Sequence, residues 1–366
     1  MTTRADGQLA DGRAIAYYDG HPGRGPLAPD RRTDIAPLQP ASEIRWDPLQ
    51  HDYAVIARHR QERTYHPPVE LCPLCPSTDA LLTEVPEPDY EVVVFENRFP
   101  SLALRSVDYV TPLLDPPFRS APAAGRCEVV SFTSDHRGSF AELSPERARI
   151  VVDAWADRTA EMSREPSIEY VFCFENRGEE IGVTLGHPHG QIYGYPFVPP
   201  RFFRMAETLA RTHERTGSCL QCELVAAEVA DGRRVVDVAE GWVAYVPFAA
   251  RWPYEVRLVP TRHVGSLGDL TESERDTLAG IYLRVLRAFD GLFELPAPYI
   301  AGWQQAPVRL LRESWHLAAE IFTIRRAPDK LKYLAGSESA AAVWINDIVP
   351  ETSAARLRHA LATLSV

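Results

Sequence analysis

Residues 187–191 read His-Pro-His-Gly-Gln, the densest run of reactive side chains in the 366-residue chain. In a strand, alternate side chains share a face, so His187, His189 and Gln191 would project together. A neutral imidazole attacks phosphorus without prior deprotonation, because its ordinary pKa of about 6.5 leaves a lone pair available at neutral pH. The Gln191 amide can donate to a phosphoryl oxygen without offering a proton for acid catalysis. Gly190 would leave room for a phosphate to approach the backbone.

The six cysteines stand at 72, 75, 127, 173, 219 and 222, and four of them form two C-x-x-C pairs. In a cytosolic enzyme that spacing favours metal or redox work over disulfides. Cys72 and Cys75 with His136 and His187 make a set of four N/S donors, the composition of a closed, tetrahedral structural zinc site. Cys219, Cys222, His263 and His316 offer a second such set. Cys127 and Cys173 sit inside apolar stretches and read as buried, inert thiols.

Both sets belong to a larger repetition. CPLC (72–75) corresponds to CLQC (219–222), FTSDHRGSFAELSPER (132–147) to VPTRHVGSLGDLTESER (259–275), and GHPHGQIY (186–193) to WHLAAEIF (315–322). Three landmarks in matching order indicate tandem duplication of one α+β unit. Alternating apolar stretches at 53–57, 90–95, 127–132, 170–175 and 191–195 predict strands. The run from Ser144 predicts a capped helix with Pro145 at its first position. Each unit would thus be an antiparallel sheet carrying a long helix, the two sheets joined side by side with helices packed on them. Units over 41–200 and 201–366 would follow a Gly-, Pro- and Arg-rich arm, residues 1–40, extended or poorly ordered.

Comparison of the halves separates scaffold from chemistry. His187 recurs as His316, whereas His189 and Gln191 become Ala318 and Glu320. One half keeps ligand and nucleophile, and the other keeps only the ligand. Further candidates are Arg60 and Arg63, whose guanidinium forks suit a diphosphate. Asn97 and Asn176 each follow a predicted strand and could meet ribose hydroxyls or base edges, with Phe95 and Phe99 enclosing the base. Lys332, ahead of Gly336, is a possible anion contact.

Composition narrows the partners. Lys and Arg total 39 against 50 Asp and Glu, a net charge of −11, which leaves no bulk basic field for a polynucleotide or an anionic membrane. Hydrophobic residues at 45% and charged residues at 24% are globular usage. No apolar run reaches the roughly 18–20 residues of a membrane span. The first residues carry acids and glycines where a signal peptide needs an apolar stretch, so a cytoplasmic protein is expected.

HPHGQIY, the C-x-x-C with its downstream DH, FENRFPSL, FENRG and KLKYLAGSE together resemble the galactose-1-phosphate uridylyltransferase family, of the histidine-triad superfamily. The resemblance runs from about Ser42 to the C-terminus. It implies a ping-pong exchange in carbohydrate metabolism: His189 takes the uridylyl group of UDP-glucose, releases glucose 1-phosphate, and passes the group to galactose 1-phosphate. It places zinc on Cys72, Cys75, His136 and His187 and the transfer-favouring glutamine at Gln191. The uridylyl pocket falls on Phe95, Asn97, Phe99, Asn176 and Thr184, and sugar-phosphate contacts on Arg60, Arg63 and Lys332, the last from a partner subunit in a homodimer. Histidines that hold a structural iron in some relatives are replaced by Gln304, Ala318 and Glu320. That iron is therefore expected to be absent, with the Cys219 and Cys222 set a candidate second zinc. Trp344 stands where some relatives place a hexose-contacting glutamine, which keeps open another base or a specialised sugar phosphate, in a related transferase or phosphorylase.

Overall fold

The computed structural model describes residues 2–33, 35, 41–62, 66–104 and 117–364. Its strands in chain order are β1 (Thr3–Gln8), β2 (Ala14–Asp19), β3 (Ser42–Asp47), β4 (Asp52–Ala57), β5 (Val92–Glu96), β6 (Ser120–Pro122), β7 (Arg126–Ser131), β8 (Tyr170–Arg177), β9 (His189–Tyr195), β10 (Val235–Ala239), β11 (Trp242–Tyr245), β12 (Tyr254–Pro260), β13 (Tyr299–Gln304) and β14 (Ala318–Thr323). Eleven of them form one sheet in the order β1-β2-β5-β7-β9-β8-β13-β14-β12-β11-β10. β3, β4 and β6 form a separate small sheet, and two further short strands, β15 (Arg325–Ala327) and β16 (Lys330–Leu331), pair with each other.

The strand order displays the duplication. β8 and β13 pair antiparallel at the centre, with Asn176 opposite Ile300 and Phe174 opposite Gly302. Outward from that seam, β9, β7, β5 and β2 on one side answer β14, β12, β11 and β10 on the other. The fold is therefore α+β, two antiparallel units joined edge to edge, as the repeated motifs predict.

Two long helices cover one face. α1 (Pro145–Met162) starts where the Ser144 hydroxyl accepts from the Arg147 N–H, with Pro145 in the first turn. Helices α2 (Pro200–Thr216) and α3 (Leu220–Asp231) follow the first unit. α4 (Glu272–Gly291), the counterpart of α1, starts with a capping box between Thr271 and Glu274. Trp155 of α1, Tyr282 of α4 and Trp303 of β13 meet in the core beneath these helices, with ring centroids 5.8–6.1 Å apart. No helix among the described residues is long and apolar enough to cross a membrane.

The N-terminal arm departs from expectation. Residues 3–19 form a hairpin, and β2 pairs with β5, Ile15 opposite Phe95 and Tyr17 opposite Val93. Ile15, Ala16, Tyr17 and Tyr18 are all buried, one pair on each face of the sheet. A strand buried on both faces shows no alternation, which is why its short apolar run reads as irregular. Residues 1, 34 and 36–40 of the expected arm lie outside the described residues.

Candidate functional site

The face of the sheet opposite α1 and α4 carries the candidate chemistry. On β9, Gly190 and Ile192 are buried, while His189, Gln191 and Tyr193 are only half-buried. The register places Phe95, Val129, Gln191 and Phe174 in one row across β5, β7, β9 and β8. The row before it sets Ser131 opposite His189, and the row after it sets Cys127 opposite Tyr193. Asn97 belongs to that last row, since its N–H donates to the Cys127 carbonyl at 2.8 Å.

Gly190 faces the other way, and the expectation that it admits a phosphate is corrected. A Cβ there would lie 2.8 Å from the Phe132 ring and 2.9 Å from the Phe174 carbonyl oxygen. The glycine lets the strand approach the helix-covered core.

A cleft of about 370 Å³ lies over the functional face, lined by Arg60, Phe95, Asn97, Phe99, Thr184, His189 and Gln191, together with Glu84 and Arg98. A second lobe of about 310 Å³, which includes Asn176 and Arg137, adjoins it at Leu185 and His189. The structure thus gathers the expected base, ribose and phosphate candidates around one imidazole. Arg60 donates from Nη1 to the Phe99 carbonyl at 2.7 Å, which places it beside the Asn97 row. Arg63 lies outside the described residues.

Lys332 is not brought to this cleft within the chain. Its Nζ forms a buried ion pair with Glu338 at 3.0 Å and also donates to the Ile345 carbonyl. Trp344 packs edge-on against Trp252, with ring centroids 5.1 Å apart. Nothing in local spacing singles out Glu84 or Arg98, because their significance comes from partners far away in the chain.

The His189 ring is held in one orientation. Nδ1 lies 2.7 Å from the His187 carbonyl oxygen, so it carries the proton and leaves Nε2 with its lone pair. Burial lowers the pKa of this imidazole, which favours the neutral form, and the carbonyl contact opposes that shift.

One ligand atom from each of Cys72, Cys75, His136 and His187 comes within 4.8 Å of all the others. Nε2 of His187 donates to the Thr133 carbonyl at 2.8 Å, which leaves Nδ1 unprotonated and 3.5 Å from Cys75 Sγ. His136 Nδ1 is 3.3 Å from the same sulfur. Burial and the neighbouring Cys72 push the Cys75 thiol up to about 12. The Cys72 and Cys75 sulfurs thus face nitrogens of His136 and His187 in a compact set of four N/S donors. The donor set fits zinc.

The second half repeats that geometry with Cys219, Cys222, His263 and His316, whose ligand atoms also lie within 4.8 Å of one another. His316 Nε2 donates to the Pro260 carbonyl at 2.8 Å, and its Nδ1 lies 3.3 Å from Cys222 Sγ. Beyond the metal set the halves diverge. Ala318 is buried in an apolar cluster with Val225 of α3. Glu320, in the place of Gln191, makes a two-pronged ion pair with Arg201 of α2 at 2.6 and 2.7 Å. Gln221 donates to the Tyr245 hydroxyl at 2.9 Å. Helices α2 and α3 therefore fill the face that stays open in the first half.

Fold and site define a duplicated α+β protein in which one half keeps a half-buried imidazole in the wall of an open cleft and both keep a Cys/His donor set. Comparison with known proteins narrows this class. The galactose-1-phosphate uridyl transferase N-terminal domain matches residues 35–199, and the C-terminal domain of the same family matches residues 204–365. The chain belongs to the galactose-1-phosphate uridyl transferase family. It is 46% identical over 365 residues to a galactose-1-phosphate uridylyltransferase of Streptomyces lividans, covering 96% of each chain. It is 36% identical over 319 residues to that of Thermotoga maritima, covering 87% of this chain and 98% of the other. A solved uridylyltransferase structure superimposes with a TM-score of 0.79 at 34% identity, covering 88% of this chain and 99% of that one.

Proposed function

We propose that this chain transfers a uridylyl group between UDP-glucose and galactose 1-phosphate through a covalent intermediate on His189. The observation that carries the reading is the His189 ring, fixed by the His187 carbonyl with Nε2 unprotonated, in the wall of a nucleotide-sized cleft.

The Nε2 lone pair attacks the α-phosphorus of UDP-glucose. A P–N bond forms, the P–O bond to the departing group breaks, and glucose 1-phosphate leaves with the electron pair. Its phosphate oxygen is a good leaving group, so no general acid is needed, and Nδ1 keeps its proton throughout. In the second half-reaction a phosphate oxygen of galactose 1-phosphate attacks the same phosphorus, the P–N bond breaks, and the electron pair returns to Nε2. Gln191, two residues along the same face, donates its amide to a phosphoryl oxygen and supplies no proton to activate water. Phe95 and Phe99 enclose the base, while Asn97, Asn176 and Thr184 offer polar contacts along the two lobes.

Zinc in the Cys72, Cys75, His136 and His187 set would staple the β9 approach to the preceding loops, and zinc in the Cys219, Cys222, His263 and His316 set would do the same in the second unit. Four protein ligands leave no open position, so each ion would supply folding energy. The units run over 41–200, whose sheet the hairpin of residues 3–19 extends at its edge, and 201–366, and the active protein is a cytoplasmic homodimer.

Incubation with UDP-glucose labelled at the α-phosphorus tests the reading. Acid-labile, base-stable label on the protein, lost in His189→Ala, is expected. Absence of label, together with no exchange of sugar phosphates, would overturn it.

A further inference from the structure

We propose that Arg98, held by Glu84, reads the nucleobase at the end of the cleft furthest from His189, and that the N-terminal hairpin region anchors this pair. The proposal rests on the uridylyl-transfer reading and adds to it a residue that sets the choice of base.

Position along the strands comes first. From the His189 row to the row of Tyr193 and Asn97 is four residues, about 13 Å along the strands at ~3.3 Å per residue, and Asn97 stands two strands across from β9. Side chains reaching into the cleft from both ends bring that diagonal toward the length of a nucleoside 5′-monophosphate. With phosphorus at His189, the base therefore falls at Asn97, Arg98 and Phe99, all of which line the cleft.

The chemistry of that end is one-sided. The Arg98 guanidinium lies 6.0 Å from the centre of the Phe99 ring. One of its nitrogens lies 3.3 Å from a Glu84 oxygen, and its side chain stays 45% exposed. The Asn97 side-chain oxygen is already taken by the Phe99 N–H at 2.8 Å, which leaves the amide NH₂ to the cleft. Glu84, the acidic member, is saturated as well, by Arg13 and by Arg32 at 2.9 Å in addition to Arg98. Asp11 holds Arg13 at 2.7 Å, and Asp30 holds Arg32 at 2.7 Å. Arg13, Arg32 and Glu84 side chains are each at most 8% exposed, so Arg98 is the member of this network that reaches solvent.

A recess that offers N–H donors, with its carboxylate spent on arginines, suits a base edge made of carbonyl oxygens. Uracil presents two. Adenine and cytosine present an amino group there, which would face a donor and leave polar groups unpaired. Arg98 is thus a specificity-determining residue and Glu84 a positioning residue acting through it.

The test measures kcat and KM for UDP-glucose and ADP-glucose in the full-length protein and in Arg98→Ala, Arg98→Lys and Glu84→Gln, with Kd for UMP and AMP by calorimetry. Arg98→Ala should weaken UMP and UDP-glucose about tenfold to a hundredfold, as expected for a hydrogen bond from a charged group. The preference for uridine over adenosine nucleotides should fall at least about tenfold, with KM for galactose 1-phosphate unchanged. Arg98→Lys should restore part of the preference, and Glu84→Gln should reduce it, the loss falling on KM for UDP-glucose and on the Kd for UMP. An unchanged UMP-to-AMP ratio in Arg98→Ala, or a loss confined to galactose 1-phosphate, would overturn the proposal. If the parent protein does not turn over UDP-glucose, the transfer reading fails, and the UMP and AMP affinities still decide the role of Arg98.

Discussion

Val225 on α3 and Ala318 on β14 share one buried apolar cluster, and Ala318 holds the place in the second unit that His189 holds in the first. The second unit therefore has no imidazole at this place, and a helix fills the corresponding space. Restoring the imidazole should not restore a site. Ala318→His should leave covalent labelling at one uridylyl group per chain. It should also lower stability by about 1–3 kcal/mol, because a ring is forced into a packed cluster. Labelling stoichiometry and urea unfolding check both, and two labels per chain would contradict the filled-cavity account.

The two metal sets are separable. Elemental analysis should find two zinc equivalents per chain, and Cys72→Ser and Cys219→Ser should each lose one. Cys72→Ser should abolish labelling, because His187 lies in that set and its carbonyl fixes the His189 ring. Cys219→Ser should lower the Tm while the remaining folded protein labels normally. Equal loss of labelling in both variants would refute this division.

The parts of this design that sequence reveals are local or repeated. The shared face of His189 and Gln191 follows from strand alternation, and both metal sets follow from C-x-x-C spacing plus the internal repeat. The hairpin at residues 3–19 escapes notice because burial of Tyr17 and Tyr18 depends on pairing with β5, more than seventy residues away. Gly190 misleads because a strand glycine serves equally for a ligand or a neighbouring ring, and only the position of Phe132 decides. Lys332 carries the expected charge, but Glu338 captures it six residues later. Glu84 and Arg98 are invisible for the opposite reason. Arg98 is held through Glu84, and the other partners of Glu84, Arg13 and Arg32, come from a segment whose placement no local pattern reveals.

Glu175 should impose a pH dependence on stability. Burial raises its pKa to about 8, only partly offset by the Tyr299 hydroxyl that donates to Oε1 at 2.8 Å, and Oε2 has no partner. The folded state then holds a proton that the unfolded chain releases in the ordinary carboxylate range. This contribution is fully present below that range and is lost as pH rises through about 8. Glu175→Gln keeps an acceptor for Tyr299 and removes the titration. Its stability relative to the parent should rise between pH 5 and pH 8.5, by an amount on the order of a few kcal/mol. Urea midpoints at several pH values measure the difference, and a constant offset would show that Glu175 ionises normally.

Arg201 is predicted to be the structural keystone of the second unit. Its guanidinium binds both oxygens of Glu320, whose carboxyl is held below its usual range by this partner despite burial. The nearby Glu255 carboxyl is raised to about 7 by burial and by Glu320 itself. Removing this hydrogen-bonded cation from two crowded, buried carboxyls leaves Glu320 without its two-pronged partner and with Arg257 to offset the charge, so Arg201→Met should cost about 3–5 kcal/mol near neutral pH. Glu320→Gln in the same background should recover much of the loss, because it removes the stranded charge. Covalent labelling of His189 should persist in the folded fraction of both variants, since the pair lies outside the cleft around His189. Failure of Glu320→Gln to rescue would mean that Arg201 stabilises α2 through packing of its stem instead of through its charge.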